Sequence, residues 1–372
     1  MKTIILLAAT PPPYMGPSIA TKTLLESEFS KEFNVILIDM ADRRPLDTLN
    51  RIDFVNIYLA LKHYFLLLWK LIFSKAELVY LLINQVPLGF LRDMPFILFS
   101  KLFRKKVVCH LRGGNFRNFY NSSGLIMKFI IEKTLQHVDR MIVLGDCLKP
   151  LFHGLIPEEK ISVVPNGLNL DFGRIKLQGQ DSKKGEKIKV LFLANLIKTK
   201  GFEEVLYSVK EVVRSAKNIK FLFAGSWMGQ NDRNKYKNFI KKENISDYVE
   251  FLGTVTGNKK MHLLQDADIF VFPTYYPMEG HPWVIVEAMA AGLPIITADQ
   301  GCIKESVIDG KNGFIIPKRD AKAVAAKINY LIKHPDVRVE MGKKSRKYYE
   351  AKFTEEHFVQ GMIDVINMTL KN

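Results

Sequence analysis

The chain alternates short, almost continuously apolar runs with longer segments of helical periodicity. Lys2 to Ala9, Asn34 to Asp39, Leu78 to Asn84, Val107 to Leu111 and Arg140 to Leu144 read as buried strands. Helical patterns lie among them, from about Ile19 to Phe29, over Phe54 to Phe73 and over Phe96 to Phe103, and Gly145-Asp146 opens another. A second series of strands runs through Lys189 to Ala194, Phe221 to Gly225, Val249 to Leu252, Asp268 to Phe272 and Ile295 to Thr297. Its helices are Glu203 to Val213, Trp283 to Ala291, about Ala321 to Lys333 and Val337 to Phe353, and residues 355–370 form a last amphipathic helix. Apolar strands alternating with helices predict parallel sheets covered on both faces. The polar, charged stretch Lys176 to Lys187 reads as a boundary between two such series.

The most informative pattern is residues 268–297. A strand stops at Pro273, a polar aromatic loop follows, and Pro282 stands where the first turn of a helix tolerates a missing N–H. Gly292 closes that helix and Pro294 prevents its restart. A helix starting there aims the amides of Gly280, His281 and Trp283, at the positive end of its dipole, beyond the carboxyl end of a strand. Glu279 precedes the helix and Glu287 lies inside it, eight positions on. One carboxylate could accept from hydroxyls on one side of a bound phosphate and the other from hydroxyls on the other side. A nucleotide sugar has that shape. The alternative is a helix-capping Glu279 and a solvated Glu287.

E-G-H-P-W-V-I-V-E-A-M-A-A-G-L-P-I-I-T, residues 279–297, resembles the E-x7-E signature of retaining glycosyltransferases of family 4. V-P-N-G-L before the boundary, F-L-G-x-V at 251–255 and A-D-I-F-V at 267–271 are similar to stretches of the same family. The resemblance implies the GT-B fold, two Rossmann-like doubly wound α/β domains facing across a cleft. They would span 1–172, with the C-terminal helix 355–372 packing back on it, and 173–354. It implies that Glu287 holds ribose hydroxyls, that Lys200 and the helix amides hold the phosphates, and that Val255 meets the base. Glu279 and the backbone of Gly280, His281, Pro282 and Trp283 would meet the sugar and β-phosphate. In the first domain the family has a glycine pair facing the diphosphate, where this chain has Gly16-Pro17. Where the family has a histidine pointing at the sugar the chain has Arg112, with His110 two residues earlier on the same side of the strand. Gly113 and Gly114 after it suggest close approach to a ligand. Asn195 replaces a phosphate-binding arginine of the family. Asp266-Ala267-Asp268 has D-x-D spacing but leads into a buried strand and reads as structural, so no metal and no cofactor are expected.

Composition narrows the partners. The 372 residues suffice for two domains, and three scattered cysteines point to a reducing compartment. The apolar core of the N-terminal run is short for a signal peptide and meets three prolines, so it reads as a strand. The formal charge of +16 comes without a nucleic-acid-binding signature, and no nucleic-acid partner is expected. From Lys62 to Lys133 twelve Lys and Arg oppose three acids, a net of +9. The Phe54–Phe73 segment is nearly all apolar, with Asn56, His63 and Lys70 on one stripe. Burying Lys62 and Lys70 at a bilayer centre would cost about 2.5–3.5 kcal/mol each, which excludes a span. Two readings remain, a helix packed almost all round and a helix in a membrane interface. The combined expectation is a cytoplasmic enzyme, peripheral on the inner face of the plasma membrane. It would move a sugar from a nucleotide-diphosphate donor to a saccharide or lipid-linked acceptor, in bacterial surface polysaccharide or lipopolysaccharide synthesis. The alternatives are a nucleotide-sugar epimerase of the same fold and a non-catalytic membrane-associated scaffold.

Overall fold

The computed structural model describes residues 1–12, 15–44, 53–170, 187–227 and 230–371. They form two compact units, Met1–Gly167 with Glu355–Asn372, and Leu168–Thr354. The division falls five residues before the expected 172/173 boundary. The reason is local: the Leu168 amide donates to the Phe353 carbonyl at 3.1 Å and Tyr349 Oη to the Leu168 carbonyl at 2.7 Å, tying Leu168 to the second unit. Of the polar segment 176–187, all but Lys187 lies outside the described residues.

The first unit holds a six-stranded sheet of β1 (Lys2–Ala8), β2 (Phe33–Asp39), β3 (Leu78–Leu82), β4 (Lys106–His110), β5 (Arg140–Val143) and β6 (Ile161–Val163). The order is β2-β1-β3-β4-β5-β6 and every pairing is parallel. Ile4 to Leu7 of β1 are buried on both faces, as continuous apolar strands of a doubly wound sheet must be. The second unit holds β7 (Ile188–Leu193), β8 (Ile219–Ala224), β9 (Val249–Gly253), β10 (Ile269–Phe272), β11 (Ile295–Ala298) and β12 (Gly313–Ile316). Its order, β12-β11-β10-β7-β8-β9, is the dinucleotide-fold order with all strands parallel. Two strands escape the apolar-run reading. β6 is three residues long, and β12 begins at Gly313, where a Cβ would stand 2.1 Å from the Ile295 carbonyl oxygen.

The helices depart from expectation in two places. The 19–29 pattern divides into Gly16–Glu26 and Phe29–Glu32, the first opened by Ser18, whose hydroxyl accepts from the Met15 amide at 3.0 Å. The helix expected from Phe96 instead spans Pro87–Leu102 and carries Pro95 internally. Its first half is anchored by buried Asp93, whose Oδ2 accepts from the Asn84 amide at 2.8 Å and the Asn84 side chain at 2.7 Å.

Helix Phe54–Phe73 overturns the reading in which it packs almost all round. Only His63, Leu67 and Leu71 are buried. The polar stripe faces inward: Asn56 accepts from Arg44 Nη2 at 2.6 Å, and burial pushes the His63 imidazole pKa down. The apolar stripe, including Phe54, Tyr58, Leu61, Phe65 and Trp69, faces solvent. Two substitutions test this one-sided packing. Leu67→Ala should cost about 2–5 kcal/mol of stability, because it opens a cavity in a buried contact. Phe65→Ala should stay within about 0.5 kcal/mol, as surface changes do. Urea unfolding followed by circular dichroism measures both, and equal losses would contradict the arrangement.

Candidate active site

In the second unit the crossovers from β7 and β10 leave to opposite sides of the sheet, which opens a crevice beyond the carboxyl ends of these neighbouring strands. Two loops rim it. The first, 194–201, ends in a 3-10 turn at Lys198–Lys200 and Gly201, before helix Phe202–Ser215. The second, 273–282, leads to helix Trp283–Ala290.

The loops are tied to each other. The Tyr275 amide donates to the Thr199 carbonyl at 2.8 Å, and Thr274 Oγ1 reaches the same oxygen at 3.4 Å. Gly201 is required twice over. Its φ is +85°, and a Cβ there would lie 2.4 Å from the Pro273 carbonyl oxygen. This clasp carries Lys200 over the second loop, where its Nζ lies 2.6 Å from Glu279 Oε2 and 4.5 Å above the Tyr276 ring. Thr274 Oγ1 donates to the same carboxylate oxygen at 3.2 Å. Glu279 is thus a largely buried, paired carboxylate and not a helix cap; Pro282 holds the cap position with no side-chain cap bond. The helix lacks acidic residues in its first turn, so its dipole is not neutralised from within.

Glu287 is not solvated either. It is buried, with Oε1 2.6 Å from Lys260 Nζ, while Oε2 is buried without a hydrogen-bond partner among the described residues. Burial pushes its carboxyl pKa up, and the Lys260 ammonium partly opposes this. A buried acceptor left half-satisfied in a native fold calls for an explanation, and a ligand hydroxyl supplies one. Lys260 stands on helix Gly257–Asp266, beyond β9, on the side where Val255 packs against the core.

The other expected site residues fall in different surroundings. The Gly280 carbonyl accepts from the Cys302 amide at 2.7 Å, and Gly301, at φ +57°, would place a Cβ 2.2 Å from it. His281 turns its side chain into the unit, with Nε2 2.7 Å from Ser306 Oγ and its ring 5.2 Å from that of Phe353. Only its backbone is available to the loop's rim. Trp283 opens its helix half-buried, and Asn195 is exposed past the end of β7. Asp268 Oδ2 accepts from the Lys189 amide at 2.8 Å, at the opposite ends of the strands, where it joins β7 to β10. Sequence reasoning missed Lys260, Thr274 and Tyr276. Thr274 and Tyr276 belong to the loop it had marked as polar and aromatic, whereas nothing local distinguishes Lys260 from Lys259.

In the first unit His110 is buried, with Nδ1 2.9 Å from Tyr80 Oη, and burial drives its pKa well below the ordinary imidazole value. Burial pushes the Tyr80 phenol up to about 12, though Arg112 opposes the shift. Arg112 donates from Nη1 to Asn166 Oδ1, and its guanidinium lies 5.5 Å from the Phe358 ring centroid on the C-terminal helix Glu355–Lys371. Its guanidinium therefore knits the last helix to the first unit. Gly113 makes room for Gln85, whose Nε2 would be 1.7 Å from a Cβ there, so a neighbouring side chain accounts for this glycine without a ligand. Gly16 begins helix Gly16–Glu26 and is half-buried.

Residues 174–348 match the family model described as glycosyl transferases group 1. Among curated relatives, the chain is 29% identical over 249 residues to the capsular polysaccharide biosynthesis glycosyltransferase CapM of Staphylococcus aureus, covering 62% of each. It is 33% identical over 185 residues to spore coat protein SA of Bacillus subtilis, covering 49% of this chain and 48% of that one. The chain thus spans about half to three-fifths of the length of these relatives. Among solved structures, sucrose-phosphate synthase from Thermosynechococcus elongatus superposes with a TM-score of 0.77 at 17% identity over 99% of both chains. Anabaena Alr3699/HepE in complex with UDP gives 0.77 at 16% identity, over 99% of this chain and 100% of that one. These likenesses establish the fold as GT-B, with two Rossmann-like doubly wound domains.

The buried state of Glu287 makes a pH-dependent prediction. A carboxyl whose folded pKa is raised favours folding below its unfolded pKa and disfavours it as pH climbs through the folded one. Glu287→Gln should therefore raise the melting temperature relative to the parent more at pH 8 than at pH 4.5. Differential scanning calorimetry at both values measures this, and equal differences would refute it.

Proposed function

We propose that the chain is a retaining, metal-independent glycosyltransferase that moves a sugar from a nucleotide-diphosphate donor to a saccharide or lipid-linked acceptor in surface polysaccharide or lipopolysaccharide synthesis. The observation that carries the reading is the crevice of the second unit, where a paired lysine and carboxylate, a helix N-terminus and a half-satisfied buried carboxylate converge on one switch point. The family match over 174–348 covers this region, and HepE, a structural neighbour, has been solved with UDP-glucose. An isomerase or scaffold reading has no comparable support.

In this reading the Oε2 of Glu287 takes the ribose hydroxyls. The diphosphate draws the Lys200 ammonium away from Glu279 and also receives the amides ahead of Trp283. Glu279, released from its partner, then accepts from hydroxyls of the sugar. The ion pair is thus an exchangeable one: Lys200 trades a carboxylate for a phosphate, and hydroxyls of the sugar replace the ammonium at Glu279. As the bond from the anomeric carbon to the phosphate oxygen breaks, negative charge builds on the departing diphosphate, and Lys200 with the amides stabilises it. The acceptor oxygen bonds to the same face of that carbon and its proton passes to a phosphate oxygen.

The roles separate kinetically. Glu287→Ala should chiefly weaken donor binding, because its contacts persist from ground state to transition state. Lys200→Met should weaken donor binding as well and, beyond that, lower turnover by about 10²–10³, the usual consequence of removing one stabiliser of developing negative charge. Steady-state kinetics with varied donor distinguish the two, and wild-type behaviour in both variants would remove the site from this crevice. Product configuration by proton NMR, with and without EDTA, tests the reaction class. Retention in both conditions is expected, whereas an inverted anomer, or activity lost in EDTA and restored by manganese, would contradict it.

A further inference from the structure

The first unit carries an outward apolar layer that its described residues leave uncovered. Helix Phe54–Phe73 packs against helix Pro87–Leu102, which packs in turn against helix Leu125–Leu135. These are the successive crossovers that follow β2, β3 and β4, so they line one side of the sheet. All three show large side chains to solvent. Phe54, Tyr58, Leu61, Phe65, Trp69 and Ile72 form one stripe at helical spacing. Leu88, Leu91, Leu98 and Leu102 continue the layer on the second helix, and Leu125, Ile126 and Phe129 on the third. Leu125 and Ile126 are 86% and 80% exposed, far beyond what scattered surface apolars require. The rings of Phe65, Trp69 and Phe73 adjoin in sequence, tilted against one another, with centroids 6.3 and 4.3 Å apart.

Charge and topology together select the occupant. Lys62, Lys75, Arg104 and Lys133 are exposed on or beside these helices and make no ion pair among the described residues. The segment 62–133 carries a net +9, of which Arg112 is buried in the internal network and Lys101 is paired with Asp139 at 2.9 Å. A second copy of the chain would set like charge against like charge, whereas an anionic lipid surface meets both the cations and the apolar stripe. Helix Phe54–Phe73 is long and apolar enough to cross a bilayer. It is nevertheless the connection between β2 and β3, both hydrogen-bonded to β1 in one parallel sheet, so the chain must return along that sheet. Spanning would tear β3 from it.

We infer that this three-helix layer docks flat on an anionic membrane, with the Phe65–Trp69–Phe73 ladder entering the headgroup–acyl boundary and the lysines meeting lipid phosphates. The inference does not rest on the proposed catalysis. The test is flotation of the full chain with vesicles of phosphatidylcholine containing equal phosphatidylglycerol, beside vesicles of phosphatidylcholine alone. Binding to the anionic vesicles should be at least tenfold tighter and should weaken as salt screens the contact. Brominated lipid should quench the fluorescence of Trp69, and the quenching should vanish in Trp69→Phe, which leaves Trp227 and Trp283 in place. The variant Phe65→Ser/Trp69→Ser/Phe73→Ser should keep the parental melting temperature, because these positions are exposed, and lose at least tenfold in vesicle affinity. The inference is overturned if the parent does not float with anionic vesicles or if the triple variant floats equally well. It is also overturned if size-exclusion shows a dimer that the triple variant abolishes while vesicle binding is unchanged.

Discussion

The second unit depends on the clasp between the two loops at its switch point. β7 and β10 are neighbours whose crossovers diverge, so nothing in the sheet itself joins the segments that follow them. The join is made by the Tyr275 amide on the Thr199 carbonyl and by Lys200 on Glu279 at 2.6 Å. Both charged groups are mostly withdrawn from water, with side-chain exposures of 19% and 10%. Deleting either partner strands the other, which for buried pairs costs about 3–5 kcal/mol. Gly201 permits the close approach, and the carbonyl of Pro273 forbids any other residue there. Remove the clasp and the lysine, the carboxylate and the helix amides lose their common aim.

Both units hold buried polar groups that lack a full set of partners among the described residues, His110 Nε2 and Arg112 Nε in the first and Glu287 Oε2 in the second. In the first, Tyr80, His110, Arg112 and Asn166 form an internal network that fastens the C-terminal helix through Phe358. In the second, Glu287 keeps one oxygen without a partner among the described residues, and its burial disfavours its charged form. A group held at a cost to the fold is what a binding site requires, because the missing hydrogen bonds are the ones a ligand supplies.

Much of this was legible in the sequence, and the failures share physical causes. Apolar runs located ten of the twelve strands, since a strand buried on both faces has no alternative composition. β6 was too short to register and β12 begins with a glycine that is there for the carbonyl of Ile295. The spacing of Glu279 and Glu287 was visible, but their partners were not. Lys200 and Lys260 lie 79 and 27 residues from the carboxylates they meet, and only the topology brings them there. Helix Phe54–Phe73 shows the limit most plainly. The sequence left two readings, a helix packed almost all round and one in a membrane interface; Asn56 and His63 point inward because Arg44 and the interior of the first unit meet them, and the apolar side is left outside. Periodicity finds the two faces of a helix but does not say which one the protein covers.

In the proposed function the switch-point crevice of the second unit is a nucleotide-diphosphate site built on Lys200 and Glu287. Isothermal titration calorimetry of the full chain with a panel of nucleoside diphosphates and their sugars, beside Lys200→Met and Glu287→Ala, tests it most directly. At least one nucleotide should bind the parent stoichiometrically, and each substitution should weaken it at least tenfold. No binding by any nucleotide, or binding that both substitutions leave unchanged, would contradict it.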